Sequence, residues 1–229
     1  MSPRVTTFDK PAVLAAALAL VREEGWEALT ARSIALGLGA SVAPVYSTFG
    51  SMEALERAVL KEARRILDEK MAAAYSDDAF LNIGVGMTVF ARDEANLFRA
   101  LFHTRHPYPD IVRAVFASIL RSMKADRTLR LLSDASLERL LGNLRTFTWG
   151  LAASIIYGQE ADPSTAGIIR RLRDAGNMMI FGELSGLADS NSRESEREWN
   201  RIIKEKNITL PTSPDAPRPR AKREKKEKR

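Results

Sequence analysis

Residues 30–55, TARSIALGLGASVAPVYSTFGSMEAL, decide how this chain is read. They spell two short helices set at a sharp angle, then the start of a long third. Thr30 offers a hydroxyl to N-cap the first helix, and Ile34, Ala35 and Leu38 recur at helical spacing as its buried side. Gly37 and Gly39 permit the left-handed backbone that a tight helix-to-helix turn needs. Ser41 is expected to cap the second helix. Pro44 then falls at its third position, where a backbone N–H has no intrahelical partner to lose. Gly50 and Ser51 close that helix and open the next, with Glu53 in the positive first turn. Two helices joined by a glycine turn, the second short and polar-tipped, form the helix-turn-helix pattern. Its second helix enters a DNA major groove.

The pattern extends to both sides. Val13, Ala16, Ala17, Leu20 and Val21 lie at core positions of a preceding helix, about Asp9 to Glu24, with Pro11 in its first turn and Gly25 as its C-cap. Gly25, Trp26, Leu29, Thr30, Arg32, Ile34 and Ala35, then Gly39, Ser41, Tyr46, Phe49, Ser51, Glu53 and Leu55, complete the set. In these residue types at these offsets the segment resembles the DNA-binding domain of the tetracycline-repressor (TetR) family of bacterial one-component regulators. The resemblance covers about the first 60 residues. The remainder is similar only in being helical and of comparable length.

The resemblance implies a three-helix DNA-binding domain over 9–55, behind a flexible arm at 1–8. It implies phosphate contacts by Thr30, Ser41, Tyr46, Ser47 and Thr48, with Val42, Ala43 and Pro44 facing the bases. None of those three carries an amide or guanidinium, so they would read thymine methyls and shape rather than make bidentate bonds to guanine or adenine. Arg32 is the nearest hydrogen-bonding reader, with a phosphate or a neighbouring carboxylate as its other possible partners. The sequence departs from the family at Met52, where a basic residue is usual, and at Val42–Pro44, where Lys or Arg often begins the recognition helix.

Charge does not carry this reading. The net charge of +6 is concentrated after Leu210, where eight Lys and Arg face three Asp and Glu. The first 60 residues hold five basic and six acidic side chains. Phosphate recognition therefore rests on helix N-termini and hydroxyls. A 45% hydrophobic composition excludes global disorder. No apolar run approaches the roughly 18 to 20 residues of a membrane span, and an N-terminal signal peptide is not expected. With no cysteine, disulfides, cysteine-zinc sites and thiol catalysis are excluded, which fits a cytoplasmic protein. No catalytic motif is present: no phosphate-binding glycine loop, no HExxH, no Ser/His/Asp constellation at a strand-to-helix turn. An enzyme is not expected, nor a cofactor.

From residue 56 the pattern is helical, so the chain is expected to be all-α, with a helical regulatory and dimerisation domain over 56–208. A linking helix over about Met52–Ala74 is followed by helices near Asp78–Ala91, Asp93–His103, Pro109–Lys124, Asp134–Tyr157, Pro163–Ala188 and Ser192–Lys206. Residues 209–229 are proline-rich, then Lys/Arg-rich, and are expected to form a disordered basic tail. The two longest C-terminal helices carry more apolar residues than one face needs, Leu137 to Ile155 and Ile168 to Ile180. Gly167, Gly176, Gly182 and Gly186 within the second suggest close helix–helix approach. The family implies that these two helices pair two copies into a homodimer, reading half-sites on double-stranded DNA.

The family further implies a small-molecule ligand in the helical domain. The expected wall is Met87, Phe90, Phe98, Phe102, Phe116, Met123, Phe147 and Trp149, apolar and aromatic, with Asn143, Arg145 and Tyr157 as orienting polar groups. Core packing is the other reading of those aromatic residues, and a salt bridge the other reading of Arg145. His103 and His106 beside Asp110 have the chemistry of metal ligands, but Pro107 and Pro109 mark a loop with exposed side chains, so no metal is expected. Two other functions stay open: a sequence-independent DNA binder acting through its tail, and a ligand-binding or adaptor protein with a degenerate head.

Overall fold

The computed structural model describes residues 8–188 and Arg201. The arm before Phe8, the rest of the Ser192–Lys206 helix and the basic tail lie outside the described residues. Among the described residues all regular structure is helical. The N-terminal elements are α1 (Lys10–Glu24), α2 (Ala31–Gly37), α3 (Ala43–Phe49) and α4 (Met52–Ala72). The body comprises α5 (Ala79–Asp93), α6 (Ala95–Phe102), α7 (Pro109–Ala125), α8 (Asp134–Ile156) and α9 (Thr165–Ala188).

Side-chain caps set the starts. The Asp9 carboxylate accepts from Ala12 N–H at 2.9 Å, Thr30 Oγ1 from Ser33 N–H at 3.1 Å, and Ser51 Oγ from Ala54 N–H at 3.1 Å. Positive-φ glycines mark the ends of α1 and α3, at Gly25 (φ 91°) and Gly50 (φ 79°). Two expectations are corrected here. Gly37 is helical and belongs to α2, so Gly39 alone (φ 63°) turns the chain. Val42, not Ser41, is the N-cap of α3, because the Val42 carbonyl takes the first bond, from Val45 N–H at 3.1 Å. Pro44 is consequently the second helical residue, not the third.

Core packing joins head to body. Val13, Ala17 and Val21 of α1, Ile34 of α2, Val45 of α3 and Leu55 of α4 are buried together. The same cluster continues through Leu60 and Leu67 to Phe90, Leu97, Leu101, Val115 and Leu140. Phe8, assigned from sequence to the flexible arm, packs against this core. α5 is the central helix of the body, packed by α4, α8 and α9. A bidentate pair ties α8 to α9, with Arg139 Nε and Nη2 at 2.8 and 2.7 Å from the Glu183 carboxylate.

Within the protomer, close helix approach occurs elsewhere than at Gly167, Gly176 and Gly182 of α9. A Cβ on Gly86 of α5 would stand 2.2 Å from the Lys70 carbonyl oxygen and 2.6 Å from Met71 Cα, so α4 and α5 touch backbone to backbone there. At Gly176 an added Cβ would make only an ordinary 4.0 Å contact with Leu144, and at Gly182 it would meet open space. Gly167 is crowded by Asp162, in the loop preceding its own helix, and not by a second helix.

Candidate nucleic-acid interface and helical-domain cavity

α3 is a seven-residue helix with one buried residue, Val45. Burying that side chain turns the rest of the helix outward. Ser41, Val42, Ala43, Tyr46 and Ser47 are exposed, and Pro44 and Thr48 half-buried. Val42 retains 43% and Tyr46 48% of its surface, which is high for apolar and aromatic residues in so small a domain. Phe49 is instead half-buried against the core, with Lys10 Nζ 4.9 Å from its ring.

Hydroxyls dominate the polar part of this face. Thr48 Oγ1 donates to the Pro44 carbonyl at 2.7 Å and Ser47 Oγ to the same carbonyl at 3.3 Å. Ser41 Oγ accepts from Ala43 N–H at 3.4 Å. Tyr46 has no hydrogen-bond partner among the described residues, so its phenol is available to a ligand. The helix N-terminus itself offers few free donors. Pro44 has none, and Ala43 and Val45 spend theirs on Ser41 and Val42. Anion contact on this face therefore falls to side chains. Thr30 and Arg32, one helix earlier, are also exposed, while Met52 is half-buried and leans on the core.

Behind the head, the loop before α7 is fastened to the first turns of α4. Tyr108 is buried, and its hydroxyl oxygen lies 3.0 Å from both the Glu53 carbonyl and the Glu56 carboxylate. Burial and then the Glu56 contact push the phenol up to about 12. Asp110 pairs with Arg57. Burial works to raise its pKa, but the Arg57 hydrogen bonds and charge outweigh it and hold the carboxyl below its ordinary value. α1 is fastened to α6 by a bidentate Arg22–Glu94 pair at 2.9 Å and by Asn96 Nδ2 donating to the Arg22 carbonyl at 2.9 Å.

Between α5, α7, α8 and α9 lies a cavity of about 90 Å³, large enough for more than ordered water. Of the expected ligand wall, Met87, Phe116 and Arg145 line it. Phe90, Phe98 and Met123 are fully buried core. Phe98, Phe102, Phe116 and Trp149 form a continuous aromatic ladder, with ring centroids 5.0 to 6.2 Å apart, that abuts the cavity through Phe116. Phe147 packs in a second core cluster with Leu151, Ile168 and Leu172. Asn143 and Tyr157 are exposed and do not line the cavity. Its remaining wall was not anticipated: Phe80, Leu81, Ile119, Leu144 and Ile180 are apolar, while Thr148, Arg173 and Asn177 are polar. Of these, Arg173 and Asn177 stand four residues apart on α9, a spacing legible in sequence once the face of the helix is known.

No cluster of three or more metal-ligating side chains occurs among the described residues. His106 Nε2 lies 3.3 Å from the Leu101 carbonyl, and His103 stands edge-on to Phe98 and Trp149. Asp110 is engaged by Arg57. No described helix is long and apolar enough to cross a membrane.

Comparison with known proteins matches residues 13–59 to the family profile described as bacterial regulatory proteins, tetR family. A search of curated proteins gave no match. Among solved structures, the chain is similar to a single-substitution variant of TetR from Acinetobacter baumannii AYE, determined in complex with minocycline. That similarity has 20% sequence identity and a TM-score of 0.50, and covers 76% of this chain and 96% of the other. At that identity it establishes the fold.

Proposed function

From a chain that carries the helix-turn-helix domain of the bacterial regulatory proteins of the tetR family, we infer a ligand-responsive transcriptional repressor. It acts in the cytoplasm as a homodimer on a palindromic operator, and a small apolar or aromatic molecule in the cavity releases it. The observation that carries this reading is the outward face of α3, where Val45 is buried and Val42, Ala43, Tyr46 and Ser47 are presented to solvent. That face is shaped to fill a groove and to meet phosphates with hydroxyls.

A single seven-residue helix reads too few base pairs for useful specificity, so two copies must engage half-sites about 34–36 Å apart or a multiple of that. The outward surfaces of α8 and α9 are the proposed pairing surface. Met178 on α9 is 76% exposed and Tyr157, just past α8, 67% exposed. Large apolar groups left in solvent on adjacent long helices favour a partner there.

Release follows from shared walls. α7 contributes Phe116 and Ile119 to the cavity, and the chain at its start holds α4 through Tyr108 and Asp110. A ligand that displaces α7 therefore acts on α4, which is separated from α3 by two residues. A protein of the same fold was determined with a small molecule, minocycline, consistent with an effector role for this cavity.

Footprinting on the DNA flanking the protein's own gene tests the reading. A protected palindrome whose sequence preference changes in Pro44→Lys is expected. Diffuse protection that ignores sequence would instead favour a non-specific DNA binder.

A further inference from the structure

The cavity is apolar over most of its wall, yet four polar side chains converge on it from two facing helices. Arg145 and Thr148 come from α8, Arg173 and Asn177 from α9. None of the four side chains has a hydrogen-bond or ion-pair partner among the described residues. Thr148 is the most buried of the four, at 7% exposed, and lines the chamber. Arg145 stacks over Phe116 and Trp149, its guanidinium carbon 5.2 and 5.5 Å from their ring centroids. Stacking fixes the plane of the group and leaves its N–H edges unspent. The carboxylate in the lining, Asp78, accepts from the Phe80 and Leu81 N–H groups as the cap of α5.

Two guanidiniums that are exposed to solvent at the edge of an apolar chamber, with a hydroxyl and an amide beside them, describe the complement of one kind of molecule. Resting on the reading of this cavity as the effector site, we propose that it takes an amphipathic organic anion. An acyl or aryl body lies among Leu81, Met87, Phe116, Leu144 and Ile180. A single carboxylate or comparable headgroup is held by Arg145 and Arg173, with Thr148 and Asn177 completing its hydrogen bonds. A neutral ligand would leave both guanidiniums without an anion, and a cation would meet their repulsion.

Isothermal titration of the full chain, without DNA, with decanoate, decanamide and decylammonium separates these possibilities. Decanoate is expected to bind saturably, about tenfold tighter than the amide, with the ammonium weakest. Arg145→Gln and Arg173→Gln should each erode the preference for the anion while leaving decanamide binding unchanged. Gly176→Phe, which places a ring against Leu144 inside the chamber, should abolish binding of all three. Equal binding of the three molecules, a preference untouched by the arginine substitutions, or no saturable binding at all would overturn the proposal.

Release of operator DNA is read separately, by fluorescence anisotropy. Anion-selective binding without DNA release would uphold the ligand class and refute the effector role. DNA release that decanamide or decylammonium drives as well as decanoate would do the reverse.

Discussion

The phenol of Tyr108 hydrogen-bonds to the main-chain carbonyl of Glu53, so the segment entering α7 grips the first turn of the helix that carries the DNA-reading head. The bond is partly buried and shared with the Glu56 carboxylate, and the Arg57–Asp110 pair lies beside it. Tyr108→Phe keeps the ring in the core and removes the bond, at about 1 kcal/mol. DNA affinity without ligand is expected to change little. The ligand-induced loss of affinity should shrink by roughly three- to tenfold, since coupling free energies are of order 1–3 kcal/mol. Paired anisotropy titrations with and without ligand measure both.

The same phenol gives an alkaline signature. Its folded-state pKa, about 12, lies above the ordinary value of 10.0. The neutral form is the one the fold stabilises, so the contribution is complete below pH 10 and is lost as pH rises toward 12. Thermal stability of the native protein should fall through that window. Tyr108→Phe should lack this component while falling through other groups as before.

On the recognition helix, two substitutions should differ in kind. Tyr46→Phe deletes an exposed hydroxyl and is expected to weaken every DNA sequence alike, by about three- to tenfold. Pro44→Lys alters a groove-facing position and restores an N–H, so it should reorder the preferred sequences. Anisotropy across a panel of operator variants checks both outcomes. Identical ranking after Pro44→Lys would remove Pro44 from the base-reading face.

Met178 tests the pairing surface. A carboxylate at this exposed position costs the monomer nothing, but two copies would bury like charges in a face-to-face dimer. Met178→Asp should shift sedimentation toward the monomer and weaken operator binding at least tenfold, with circular dichroism unchanged. A variant that stays dimeric would exclude Met178 from the interface.

Gly86 and Gly84 sit two residues apart on α5 and should respond oppositely to alanine. At Gly86 the new methyl has backbone at 2.2 Å, so α4 and α5 must separate, at a cost of about 1–3 kcal/mol. At Gly84 its nearest neighbour is a Leu172 methyl at 3.6 Å, an ordinary contact, and the gain in helix propensity is up to about 1 kcal/mol. Chemical denaturation of the two variants decides.

What the sequence displayed was local chemistry. Asp9, Thr30 and Ser51 cap helices by their own side chains, and Gly25, Gly39 and Gly50 carry positive φ, so the helix-turn-helix could be read from short-range rules. Its details failed where two neighbours compete for one role. Gly37 yielded the turn to Gly39, and Ser41 yielded the cap to Val42, whose carbonyl sits one residue closer to the helix. The cavity was harder, because it belongs to four helices at once. Composition identifies Phe90, Phe98 and Phe116 equally as aromatic, but only packing separates the two core rings from the one that faces space. Arg145 looked like half of a salt bridge and proved to stack on aromatic rings instead. Within the protomer the tight backbone contact is made at Gly86 of α5 and not at Gly176 or Gly182 of α9, whose spacing is left to the proposed pairing surface.

The backbone contact at Gly86 has a mechanical corollary. It clamps α4 near Lys70 and Met71, and the Lys70–Asp93 ion pair at 2.8 Å reinforces the clamp. The opposite end of α4, around Glu53, lies about 27 Å away at the rise of an α-helix. Pivoting about that contact, a tilt of roughly 5° sweeps the far tip, together with the Tyr108 segment that grips it, by about 2 Å. In the proposed dimer, a tilt of that size would change the separation of two heads on a duplex.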